Sequence, residues 1–374
     1  MHPALRPPVV TPFRLERYFA EHEFSARYLL CCSDCEALSV SDLLALGDEE
    51  SRQLWNDLRL GYTESRGHPV LRQEIARRYS DVVKPEHVLC CVPVEGILLF
   101  AATLLRPGDR VVVTAPAYQS LHSLADMFGC QVTFWYPRRT GDGWEFNTED
   151  LRSVAAGGVE CIIMNSPHNP TGCCLSPEDV QSVIDIAKEH NAYLFSDEVY
   201  RESGPSAVEY GYERTIALGA LSKTHSLPGL RVGWVVTLDQ QLLAQLVDAK
   251  DYTTICGSAP SEVLGIIALR ATDAILARNR AIIKTNVEAA TLFFAKWKHF
   301  FRWAPPQGGT TSWLELINGE TADDFSARVL RGCGILLLPG AQFGSSCPPG
   351  QFMRIGLGRK DFPDLLRILD EFLT

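Results

Sequence analysis

The run Ala220-Leu221-Ser222-Lys223-Thr224, followed by Gly229-Leu230-Arg231-Val232-Gly233-Trp234, holds the side chains best suited to covalent chemistry. A lysine amine is a nucleophile toward an aldehyde. A hydroxyl beside it and an arginine eight residues on suit a phosphate anchor, because arginine offers planar paired donors and the hydroxyl adds another. A lone lysine would read as a solvated surface residue. Three further segments count against that reading: Asn165-Ser166-Pro167-His168-Asn169-Pro170-Thr171-Gly172, Ser196-Asp197-Glu198-Val199-Tyr200 and Ala115-Pro116-Ala117-Tyr118. Each begins at the end of a short β-rich run.

Those runs are the elements that must position the chemistry. Arg110-Ala115, Gln131-Trp135, Val159-Met164, Ala192-Ser196, Thr215-Leu221 and Val232-Thr237 alternate with helical patterns. One such pattern is Ser176-His190, where Val180, Val183, Ile184 and Ala187 share a face. Strands alternating with helices predict an α/β domain with a mostly parallel sheet, and such sheets bind ligands at the carboxyl ends of their strands. After a long helical stretch that includes Ala271-Ala289, short strands (Thr311-Leu316, Gly334-Leu338, Phe352-Gly356) mix with helices (Ala322-Arg331, Phe362-Leu373). They predict a smaller α+β domain. The expected division is a segment 1–48 that completes the small domain or covers the active site, a large domain 49–275 and a small domain 276–374.

Composition narrows the function. With 374 residues, 46% of them hydrophobic, the chain can bury two cores. A formal net charge of -10 argues against a nucleic-acid surface. Arg77-Arg78 and Arg138-Arg139 are too short to reverse that. The longest mainly apolar run, Gly96 to Leu105, is too short to span a bilayer, and the proline-rich Met1 to Thr11 lacks the apolar core of a secretory signal. No membrane partner and a cytoplasmic location are expected. The twelve cysteines include Cys32-Ser33-Asp34-Cys35, which has the gap of a redox or zinc motif. No second such pair and no histidine pair at ligand spacing accompany it, so reduced thiols and no metal are expected.

Together the Asn-Pro-Thr-Gly run, the Asp-x-x-Tyr run and the Ser-Lys…Arg run resemble, in order and spacing, the fold-type I pyridoxal-phosphate enzymes of the class I/II aminotransferase family. The resemblance extends from about Gly61 to the C-terminus. It implies pyridoxal 5'-phosphate as cofactor, an amino acid and a 2-oxo acid as substrates, and a homodimer with shared active sites. It implies that Lys223 forms the Schiff base and moves the substrate proton, and that Asp197 pairs with the pyridine nitrogen. Asn169 and Tyr200 would bond the ring's phenolic oxygen, and Tyr118 would stack on the ring. Ser222 and Arg231 would hold the phosphate. Arg354, within Phe352-Met353-Arg354-Ile355-Gly356, would clamp the substrate carboxylate beside Asn169. Tyr62, in Gly61-Tyr62-Thr63, would reach the phosphate bound by the neighbouring subunit. Tyr118 and Tyr62 could otherwise be packing aromatics, and Arg354 a surface residue. His168 reads as a structural loop residue and His225 is left unassigned.

One departure stands out. The family usually opens a phosphate-cradling helix with Gly-Ser/Ala-x-Glu-Ala, but the aligned run here is Val92-Pro93-Val94-Glu95-Gly96. Proline has no N–H to give, so Val94 and Glu95 are expected to donate. That run suggests an outlying subgroup, and the covering N-terminus is similar to that of cyclising members such as capreomycidine synthase. The family resemblance implies transamination as the expected reaction, and the altered turn and N-terminus, which stand against it, leave a lyase or cyclase that eliminates a β or γ substituent as the alternative. Glu16 and Glu36 read as solvated or ion-paired surface carboxylates, with contact to a cationic substrate as the other reading.

Overall fold

The computed structural model describes residues 10–141 and 143–374. Most of the proline-rich start, including residues 1–9 of the expected segment 1–48, lies outside the described residues. The fold is α/β. Seven strands form the main sheet in the order Val88–Cys91, Gly233–Val236, Thr215–Ala220, Tyr193–Asp197, Cys161–Asn165, Arg110–Thr114, Gln131–Trp135. Gly233–Val236 runs antiparallel to both neighbours, and the other pairings are parallel. Cys161–Asn165 and Thr215–Ala220 are buried at every position, as strands covered by helices on both faces must be. Pro177–Glu189 covers one face. Ser176 caps it by accepting the Asp179 N–H at 3.1 Å, Pro177 pre-sets the first turn, and Val183, Ile184, Ile186 and Ala187 are buried.

A second, antiparallel sheet runs in the order Phe301–Arg302, Thr311–Leu316, Phe352–Gly356, Leu338–Pro339. Leu314, Leu316, Met353 and Ile355 on this sheet share a core with Phe325, Val329, Phe362 and Leu366 of the helices Ala322–Cys333 and Phe362–Leu373. Phe293 and Phe294, near the end of the long helix Thr272–Lys296, join the same core.

Several expectations change. Val88–Cys91 is an additional edge strand, and Arg138–Thr140 with Gly143–Glu145 forms a separate hairpin. The single strand expected at Gly334-Leu338 is two short ones, Ile335–Leu336 and Leu338–Pro339, which pair with different partners. Ile335–Leu336 pairs in parallel with Tyr28–Leu29 from the N-terminal segment. From there the chain runs along the backbone of Gly356 and Gly358. The helix Arg14–His22 precedes it, with Leu15 buried and Phe19 half-buried. Among the described residues, no helix is long and apolar enough to cross a membrane.

Candidate active site

A cavity of about 520 Å³ opens where the carboxyl ends of the main-sheet strands meet the second sheet and the N-terminal segment. Lys223, Asp197, Tyr200, Asn169, Tyr118, Ser222, Arg231, Val94 and Arg354 all line it. Asp197 closes the strand Tyr193–Asp197, and Lys223 follows the strand Thr215–Ala220 within three residues. Register pairs Asn165 with Asp197, so consecutive strand ends present consecutive polar groups.

Asp197 is buried and accepts the Val199 N–H at 3.2 Å. Burial pushes its carboxyl up to about 7, against the Val199 hydrogen bond and the charge of Lys223, which hold it down. Arg354 is also buried. It donates to the Asn169 side-chain carbonyl at 3.1 Å and to the Cys31 carbonyl at 3.0 Å. The Asn169–Pro170 peptide bond is cis. Tyr118 donates to Glu16 at 3.1 Å, and its hydroxyl is raised by burial and then by that carboxylate. Arg231 sits at φ 56°, uncommon for a residue with a side chain, and donates to the Pro228 carbonyl at 2.8 Å.

Three polar atoms of the cavity wall are buried and have no partner among the described residues: the Tyr200 hydroxyl, the Ser222 hydroxyl and Arg354 Nε. Leaving such groups unpaired costs stability, so this wall is built for a polar ligand. The helix Pro93–Leu104 brings its N-terminus to the same cavity. Pro93 has no N–H, and the Val94 and Glu95 amides follow in the first turn, where an α-helix leaves its donors free. The Glu95 side chain points elsewhere. It caps its own helix through the Val92 N–H at 2.9 Å and accepts from Thr254 at 2.7 Å. A flat anion with a phosphate, held near an amine, fits the arrangement.

Tyr62 is not in this cavity. It is 91% exposed, beside a separate surface groove of about 490 Å³. His168 and His225 lie outside the cavity as well. Each is buried, bonded to threonine hydroxyls and pushed down to about 3 by burial. All twelve cysteines are free thiols, and no metal-binding group of His, Cys, Asp or Glu occurs among the described residues.

The N-terminal segment supplies wall residues that the sequence pattern did not place in the site. Ser33, Cys32, Asp34, Phe19 and Glu23 line the cavity, as does Arg359. Glu16, expected as a surface carboxylate, lines it too, whereas Glu36 accepts the Lys360 N–H outside it. Glu23 has its carboxyl raised, first by burial and then by Asp34 and Glu16. The alternation of Leu15 and Phe19 on one helical face was a usable signal for that helix. Nothing local marked Ser33.

The family model for aminotransferase class I and II matches residues 31–364. Capreomycidine synthase from Streptomyces vinaceus is 31% identical over 91% of this chain and 88% of its own. A pyridoxal-phosphate-dependent aminotransferase from Streptococcus suis superposes with a TM-score of 0.89 at 30% identity, covering 98% of both chains. The pyridoxal-phosphate-dependent cyclase OrfR gives 0.87 at 28% identity, covering 99% of both. The chain thus belongs to the class I and II aminotransferase family and is a transferase that depends on pyridoxal 5'-phosphate.

Proposed function

We propose that this enzyme is an aminotransferase that takes the amino group of an amino acid and returns it to a 2-oxo acid. What carries the reading is one cavity that joins the Lys223 amine, the buried Asp197 carboxyl and the buried Arg354 guanidinium beside unpaired hydroxyls. In this reading Ser222, Arg231 and the Val94 and Glu95 amides hold the cofactor phosphate. Asp197 faces the ring nitrogen, Tyr118 covers the ring, and Asn169 and Tyr200 bond its phenolic oxygen. The cofactor supplies an electron sink that makes the Cα–H of a bound amino acid acidic. Arg354 clamps the α-carboxylate, and its unpaired Nε is available for a second parallel bond. Lys223 accepts the Cα proton and would deliver it to the cofactor carbon rather than back to Cα, the shift that transamination requires.

The substrate side chain is proposed to be cationic. Glu16 and Glu23 stand on the helix Arg14–His22 and its cap, in the same cavity as Arg354. The Glu23 carboxylate has no hydrogen-bond or ion-pair partner among the described residues, and its raised carboxyl would be relieved by a positive charge. The second reading, elimination with cyclisation, is favoured by the likeness to capreomycidine synthase and to the cyclase OrfR. One experiment separates the two. Arginine, lysine, citrulline and methionine are each added alone to the purified holoenzyme. Transamination predicts one equivalent of 2-oxo acid per site, loss of the visible cofactor band and its return on adding a 2-oxo acid, with arginine or lysine ahead of citrulline and methionine. Sustained turnover of one amino acid without acceptor would establish the elimination reading instead.

The enzyme is further proposed to be a homodimer, with Tyr62 of one protomer near Ser222 and Arg231 of its partner. Support comes from Leu60, Tyr62 and Tyr252, all at least 85% exposed on neighbouring segments joined by the Lys250 to Ser65 hydrogen bond. Exposed apolar side chains grouped this way mark interaction surfaces. Sedimentation should give a dimer, and Tyr62→Ala should weaken cofactor retention. A fully active monomer at assay concentration would contradict this.

A further inference from the structure

We propose that Ser33 is a positioning residue for Lys223, fixing the direction of its amine for proton transfer at the substrate Cα. The inference rests on the reading that Lys223 carries that proton. Lys223 Nζ donates to Ser33 Oγ at 2.8 Å, and this is its one hydrogen bond among the described residues. The ring of Tyr200 lies below it, with its centroid 5.9 Å from Nζ. A lysine amine on a four-carbon stem swings and rotates freely unless something holds it.

Ser33 can hold it because its own backbone is fixed from several sides. Thr310 donates to the Ser33 carbonyl at 2.6 Å. Arg354 donates to the Cys31 carbonyl at 3.0 Å, the Gly356 N–H to the Leu30 carbonyl at 2.9 Å, and the Glu36 N–H to the Gly358 carbonyl at 2.8 Å. Arg359 grips both Asp34 oxygens at 3.1 and 3.2 Å. The approach is so close that a Cβ at Gly356 would lie 1.5 Å from the Cys32 carbonyl oxygen. A glycine is therefore required there, and the backbone that carries Ser33 has little room to drift.

The chemistry follows from the donor count. The neutral amine gives one N–H to Ser33 Oγ, which fixes rotation about its last bond and leaves the lone pair to face the Cα–H. When it accepts the Cα proton the amine becomes an ammonium, still donating to the same oxygen, and it would become neutral again by giving that proton to the cofactor carbon. Ser33 exchanges no proton in either direction. Its own O–H stays available to an acceptor in the cavity.

The test has two parts. The first needs no substrate: the cofactor-free full-length protein is mixed with pyridoxal 5'-phosphate, and formation of the reducible linkage is followed by absorbance. Ser33→Ala should slow this about tenfold, the loss expected of one orienting hydrogen bond. Ser33→Thr, which keeps the hydroxyl, should restore most of the rate. Ser33→Cys, similar in size and a poorer acceptor, should fall between and serves if the alanine variant does not fold. The second part measures washout of deuterium from α-deuterated L-arginine by the holoenzyme. Ser33→Ala should lower kcat for exchange about tenfold, leave KM in place and raise the isotope effect. Wild-type recombination in Ser33→Ala, or equal rates for the alanine and threonine variants, would overturn the proposal. Washout that persists in Lys223→Ala would instead overturn the underlying reading of the lysine. Washout abolished in Lys223→Ala but unchanged in Ser33→Ala would sink Ser33 alone.

Discussion

Replacing Lys223 with alanine should reduce turnover by roughly four orders of magnitude or more, since a positioned proton-transfer group alone contributes on the order of 10²–10⁴-fold and the covalent link is lost as well. The same change should eliminate any cofactor adduct that borohydride can reduce. The fold should survive it. The Lys223 side chain is half-buried and makes a single hydrogen bond among the described residues, to Ser33, so its removal disrupts little packing, and the buried Asp197 carboxyl, which loses a nearby positive charge, can take up a proton instead. The measurement is kcat in the alanine variant, with melting temperature as the control. Turnover within tenfold of the native enzyme would remove the lysine from the chemistry.

The second large effect is expected at Asp197. Asparagine keeps the size and can still accept the Val199 N–H, so packing is preserved and only the negative charge is lost. Breaking one partner of a buried charge pair costs about 3–5 kcal/mol, which is a fall of roughly 10²–10⁴-fold in rate if the charge is needed at the transition state. Normal turnover by Asp197→Asn would exclude the proposed pairing with the ring nitrogen. The same variant has a pH signature in the cofactor-free protein. The folded carboxyl, at about 7, lies above its unfolded value near 3.9. Its contribution to stability is therefore full below about pH 4 and lost as pH rises through about 7. Asparagine does not ionise. The cofactor-free native protein should lose melting temperature relative to Asp197→Asn between about pH 4 and about pH 7. Cofactor loading should shrink that gap, because a positive group opposite the carboxylate returns it to the anion.

The residues legible in the sequence are those fixed by local pattern. Asn169, Asp197 and Lys223 follow β-rich runs closely, and a parallel sheet brings its strand ends to one edge whatever the intervening helices do. Their appearance in one cavity needed no knowledge of long-range contacts. Arg354 was legible only through the family resemblance, which placed it in the short strand Phe352-Gly356. Val88–Cys91 escaped because four buried residues running straight into Pro93 carry no alternation. Ser33 and Glu23 escaped, and Glu16 was read first as a surface carboxylate, for a different reason. They reach the cavity through Tyr28–Leu29 pairing with Ile335–Leu336, across most of the chain, and nothing in their own surroundings records that pairing. Glu36 lies only three residues from Ser33 yet points away, so proximity in sequence was no guide in this segment.

The most direct test is where the cofactor is attached. The resting holoenzyme is reduced with borohydride, digested, and the modified peptide is identified by mass. A reduced pyridoxyl group is expected on Lys223, in the peptide that contains Ser222 and Thr224. The informative competitor is Lys250, which is fully buried with its amine tied to the Ser65 and Ile255 carbonyls, both at 2.9 Å. A label on Lys250 or on any other lysine, with Lys223 unmodified, would contradict the central claim.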